Sequence, residues 1–209
     1  ASLSSYLSTQ WNDLKIQLPS INSPVSNRTH CMPWSDWATQ PKVENAMGIR
    51  FDVNYYYWPG DWVQNRPGMF TGSGMPMRFA DADGTIIDCY QAPTQMPDES
   101  DLDIPASINT LLDNATDPNK GYYGVFVMNM HMDTYPHPGS DAIVSSAIAH
   151  NVPVVSSKQM LTWLDSRNAT VFKGPGGTDQ MTWTDNKLSF DISTTAHHLQ
   201  AKIGRSTCR

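Results

Sequence analysis

An α/β fold built on a parallel sheet is what the sequence predicts, and three observations carry the prediction. Residues 125–130 form a short apolar run of strand type, and Ile143, Val144, Ala147 and Ile148 then repeat at helical spacing before a second apolar run at 152–155. Ser156 or Ser157 can cap a further helix whose apolar stripe is Met160, Leu161 and Leu164, with Arg167 in its last turn. Strands alternating with helices of this length indicate a parallel sheet, whose chemistry sits at the carboxyl ends of the strands. His131 and Asp133 fall at such an end.

Taken in order, Leu3, Tyr6, Leu7, Trp11 and Leu14 follow helical spacing, and Pro19 stops that helix. A loop rich in Ser, Asn and Pro leads to a short strand within 28–37, then to a brief helical piece at 43–46. A second strand follows at 48–60, in which Arg50, Asp52 and Asn54 alternate with Phe51 and Val53 and so share one face. Residues 61–76, with three glycines and two prolines, read as a long structured loop of the kind that rims a barrel. The run 77–91 is a hairpin turning at Asp83-Gly84. Ile104, Ile108, Leu111 and Leu112 mark the next helix. After the strand and helix alternation of 121–167, residues 172–209 change character to a loop and an antiparallel hairpin turning at Asp185-Asn186. The expected division is therefore a barrel-like part at 1–171 and a β-rich extension at 172–209, which has room to continue beyond Arg209.

The formal charge of −6 and pI near 5.3 exclude a nucleic-acid surface, since the 14 Lys and Arg are spread along the chain rather than clustered. No apolar run reaches membrane-spanning length. Charged residues make up only 16 %, with Trp, Tyr, Asn, Ser and Thr plentiful, a balance suited to a secreted or cell-surface protein that meets hydroxyl-rich ligands such as a polysaccharide or another glycan. Of three cysteines, Cys31 and Cys89 lie near predicted strand ends and are the expected disulfide in an oxidising compartment. Asn27, Asn114 and Asn168 head glycosylation sequons, which matter only in a eukaryotic host.

The order Asn129-Met-His-Met-Asp, helix, Asn151-Val-Pro-Val-Val-Ser, helix resembles the carboxyl-terminal part of polysaccharide deacetylase-like barrels, which share a superfamily with some glycoside hydrolases. The resemblance covers about residues 28–170. It implies a partial or divergent (β/α) barrel. In that family an Asp-Asp motif and a His-x-x-x-His motif hold a metal, and a late strand supplies one more histidine. Neither motif is present; His131 matches the late-strand position. The chain is then either the later part of a larger barrel protein or a divergent member without that metal.

Candidate chemistry follows from residue type. His30, Asp52, His131 and Asp133 suit a divalent ion such as zinc if they converge, the alternative being that the histidines bond to neighbouring loops. Asp52, Asp81, Asp88, Asp98 and Glu99 offer the paired carboxylates of glycoside hydrolysis, although Asp81 and Asp83 already have a role in their turn. Asp52 and His131 are the expected catalytic pair. Arg50, Asn54, Tyr57, Trp58 and Trp62 are the expected substrate-binding residues, because aromatic rings at a strand end can stack on sugars. For Arg50 and Asp52 an internal ion pair is the competing account. The sequence reading is a secreted carbohydrate-active hydrolase, deacetylase-like or glycosidase-like. A non-catalytic carbohydrate-binding or structural component of an extracellular or cell-envelope assembly is the alternative.

Overall fold

The computed structural model describes residues 2–29, 34, 36–54, 60–64, 66–121, 124–133 and 135–199. The chain divides into two compact units, Ala1–Ser157 and Lys158–Arg209. That border lies one helix before the expected one.

The first unit opens with α1 (Leu3–Gln17), where Ser5 N donates to Ser2 Oγ at 3.2 Å and Ser2 N donates to Ser5 Oγ at 3.1 Å. This capping box satisfies two amides that a helix start otherwise leaves without partners. Its four-stranded sheet comprises β1 (Ser26–Asn27), β2 (Phe51–Asp52), β3 (Met77–Ala80) and β4 (Ile86–Gln91), ordered β1-β2-β4-β3. β1, β2 and β4 are parallel, and β3 pairs antiparallel with β4. The β3 to β4 connection is the expected hairpin: Gly84 takes φ +87°, and Thr85 N donates to Asp83 Oδ1 at 2.9 Å. Between β1 and β2, α2 (Thr39–Ala46) starts four residues earlier than the pattern predicts and buries Gln40 and Glu44. α3 (Gly60–Val63) begins within the region expected to be loop.

A parallel pair, β5 (Thr94–Pro97) and β6 (Val127–Asn129), carries α4 (Ile104–Thr116) between its strands. α5 (Pro138–Ala149) follows β6. Met96, Ile104, Ile108, Leu111, Leu112, Ile143 and Ala147 form one buried core there, with Met128 and Met130 packed on its margin. All four apolar residues predicted for the α4 face are in that core. Asp103 caps α4 by accepting from Ala106 N at 3.0 Å. Gly74, at φ +65°, admits no side chain, because a Cβ would strike Gln95 and the Val125 carbonyl. The apolar run 152–155 is a correction: it joins no strand, and Val154 and Val155 are exposed. Pro153 lacks the amide a ladder needs, and apolar character alone does not supply a pairing partner.

In the second unit, α6 (Ser157–Asn168) buries Leu161 and Leu164 as its stripe predicts. β7 (Val171–Lys173) pairs antiparallel with β10 (Asp191–Ser193), and β8 (Thr182–Thr184) with β9 (Lys187–Ser189). Asp185 and Asn186 turn the latter hairpin at φ +51° and +61°, the two positive values a type I′ turn requires. The chain is thus mixed α/β with a mixed sheet and an antiparallel C-terminal part. No helix among the described residues is long and apolar enough to cross a membrane.

Candidate functional site

Two polar clusters occupy the carboxyl ends of the parallel strands. The first grows from the register of the main sheet, which sets Asn27 opposite Asp52 and Asp52 opposite Gln91. α2 lowers Glu44 and Gln40 onto that row. Asn27 Nδ2 donates to Glu44 Oε1 at 2.7 Å, and Gln40 Nε2 donates to the same oxygen at 2.6 Å. Asp52 accepts from Asn54 N at 2.8 Å and Asn54 Nδ2 at 2.6 Å, while Asn54 Oδ1 accepts from Thr29 N at 2.8 Å. Glu44 and Asp52 are both fully buried. Burial, followed by the adjacent Asp52, pushes the Glu44 carboxyl up to about 9, and burial raises Asp52 as well against the hydrogen bonds from Glu44 and Asn54. Glu44 therefore holds a proton at neutral pH and shares it with Asp52.

Cys89 completes this cluster, its Sγ 3.5 Å from Glu44 Oε2 and accepting from Gln91 Nε2 at 3.2 Å. Burial and the two carboxyl groups raise the thiol well above its usual range, so it stays protonated. Cys89 carries a buried free thiol, and Cys31, the partner expected for it, lies outside the described residues. The Asn27 amide, expected as a glycan acceptor in a loop, instead faces inward to Glu44. Asn114 sits in the last turns of α4, and Asn168 is the last residue of α6.

The second cluster is open. Pro97 ends β5 opposite Asn129 of β6, which delivers Asp98 and His131 to the same place. Asp98 Oδ2 accepts from His131 N at 2.7 Å, and Oδ1 lies 2.9 Å from His131 Nδ1, which must donate to it. His137 caps α5 by accepting from Ser140 N at Nδ1, so its proton is on Nε2, 3.2 Å from Asp98 Oδ2. Burial acts to raise the Asp98 carboxyl, but the hydrogen bonds from the His131 amide and ring and from His137 outweigh it, and the group is lowered. The hydrogen bond to Asp98 and the charge of that carboxylate raise His131. Its remaining nitrogen, Nε2, points to Glu99 Oε1 at 3.3 Å. Asp98, Glu99 and His131 each offer a ligand atom, and these lie within 4.8 Å of one another. Carboxylate and imidazole are donor types that a divalent ion takes, but Asp98 meets Nδ1 and Glu99 meets Nε2, on opposite sides of the ring, so the three do not converge on one point.

The expected catalytic residues are thus placed in different clusters, Asp52 in the sealed one and His131 in the open one. Asn54 is beside Asp52 as expected. Arg50 is not: Nε and Nη2 reach Asp88 at 2.8 and 3.0 Å. Asp133 is exposed and adds a nearby negative charge to His131 without joining the three donors. His30, Tyr57 and Trp58 lie outside the described residues. Trp62 is on α3 with 54 % of its surface exposed, and Tyr135, between His131 and His137, is 93 % exposed. The sequence reading missed Glu44 and His137 and weighed Asp98 and Glu99 only as generic carboxylates. His137-Pro-Gly, a side-chain cap followed by proline in the first turn, was the local signal available for one of them. No family model, no curated protein and no solved structure matches the chain.

Proposed function

We propose that the chain is a secreted carbohydrate-active hydrolase acting on a polysaccharide, with its working site at Asp98, Glu99 and His131. The observation that carries the reading is the hydrogen-bonded pair of Asp98 and His131 at adjacent parallel strand ends. Asp98 fixes the His131 tautomer and leaves Nε2 on the side of the half-exposed Glu99, the arrangement that makes an imidazole useful in hydrolysis. That nitrogen can take the proton of an attacking water, return it to a leaving group, or hold an ion; each serves ester, amide or glycosidic cleavage. The exposed ring of Tyr135 is a surface on which a sugar can stack. The parallel runs β1-β2-β4 and β5-β6 are read as arcs of one divergent (β/α) barrel, whose active residues would occupy this end.

The test is turnover by the purified chain on a panel of acetylated and deacetylated polysaccharides, scored for released acetate and for new reducing ends. Cleavage by the wild-type chain and a loss of at least about 100-fold in H131A is the expected result. Glycan binding without release of either product would overturn hydrolysis in favour of a binding module.

A further inference from the structure

A groove on the second unit belongs to neither strand-end cluster. Lys158, Thr162, Trp163 and Ser166 line it along one stripe of α6, and Thr195 and His197 close it from the segment after β10. It holds about 450 Å³, within the range of roughly 300–1,000 Å³ that small-molecule sites occupy. Trp163 is fixed in its wall: Nε1 donates to the His197 carbonyl at 2.9 Å, and Arg167 lies 5.9 Å from the ring centroid without lining the groove. A ring held by its own N–H loses little further freedom when a ligand stacks on it.

The other lining groups select the ligand. No carboxylate lines the groove, and the Lys158 ammonium forms no ion pair among the described residues. In a chain of net charge −6, an ammonium left without an acid favours an anion. The hydroxyls of Ser166 and Thr195 bond to no protein group among the described residues. A purely apolar ligand would leave all three groups unused, and a neutral sugar would leave Lys158 unused. Nucleic acid wants a clustered row of cations, which the lining lacks. We infer that the groove binds a uronic-acid unit of an acidic polysaccharide, with the apolar face of the pyranose on the Trp163 ring, its hydroxyls on Ser166 and Thr195, and its carboxylate on Lys158. Lys158 stands five residues before Trp163, about 7.5 Å along the helix axis, a gap that its flexible four-carbon stem covers. The whole lining belongs to the second unit, so the site stands or falls independently of hydrolysis by the first.

Tetragalacturonate titrated into the full purified chain at neutral pH and low salt, followed by calorimetry and by the Trp163 indole N–H resonance, is expected to bind saturably. W163A should weaken binding about tenfold and K158Q about threefold, while K42Q, at a lysine paired with Asp81 in the first unit, should leave it unchanged. Cellotetraose, a neutral tetrasaccharide, should bind at least about threefold more weakly than the uronate. Because Lys158 is exposed, K158Q keeps the test decisive if W163A misfolds. No saturable binding, affinity unaltered in K158Q, or cellotetraose bound as tightly as the uronate would overturn the site. Binding that K158Q weakens, in a chain that cleaves nothing, supports the site while the hydrolase reading fails on its own test.

Discussion

The clusters of Glu44 with Asp52 and of Asp98 with His131 share a topological address and differ in every property that matters for chemistry. Both sit at carboxyl ends of parallel strands, and both pair an acid with hydrogen-bonding neighbours. One is sealed under α2, where desolvation keeps a carboxyl group neutral and a thiol inert. The other is open, where hydrogen bonds and the neighbouring histidine charge lower the Asp98 carboxyl and hold His131 between Asp98 and Glu99. Strand-end position is therefore not sufficient to identify a reacting group. Solvent access separates a strand-end carboxylate that can meet a ligand from one that packs into the fold.

Substitutions should separate the two accordingly. The largest expected effect is in the sealed cluster: E44A removes the proton donor and the oxygen that accepts from Asn27 and Gln40 and leaves the Asp52 charge buried, at a cost of about 3–5 kcal/mol in urea unfolding. E44Q, which mimics the protonated acid, should recover most of that loss. If E44A unfolds no more readily than wild type, the contrast collapses.

The pH dependence of stability comes next. The Glu44 pKa in the folded chain, about 9, is raised above its ordinary value near 4.5. Between those values the unfolded chain releases a proton that the folded chain keeps, so this contribution is fully present below pH 4.5 and is lost as pH rises toward 9. The slope for one proton is at most about 1.4 kcal/mol per pH unit. Urea midpoints at pH 5, 7 and 9 should fall in wild type and flatten in E44Q.

In the open cluster the pattern reverses. H131N should abolish turnover while shifting stability by less than about 1 kcal/mol, because a ring 32 % exposed at the edge of the unit contributes little burial. A large loss of stability with unaltered turnover would place His131 with the structural residues. The smallest effect is expected at the exposed ion pair of Arg50 and Asp88, where D88N should cost under about 1 kcal/mol and leave turnover intact.

Local signals were legible wherever the chemistry was local. The α4 stripe, the Asp83-Gly84 and Asp185-Asn186 turns and the α6 stripe followed from period and turn residues, and each is present. The strand expected at 152–155 failed because apolar composition says what wants burial and not what covers it. Arg50, Asp52 and Asn54 were read as one face of a long strand, but β2 spans only Phe51–Asp52, both buried; Arg50 pairs with Asp88, and Asn54 bonds to Asp52 and Thr29. His131 was legible as a strand-end histidine; its partner was not, since Asp98 is 33 residues earlier.

By itself, the sequence determined the α/β class, most helices and turns, the acidic polar surface and His131 as a residue to watch. These depend on spacing of 2 or 3.6 residues and on backbone preferences that neighbours set within a few positions. Only the tertiary structure decided that Asp52 would meet Glu44 and that His131 would meet Asp98, Glu99 and His137. Register between strands places those groups, and burial then sets their charge. Both are properties of contacts between segments far apart in the chain, which no local pattern encodes.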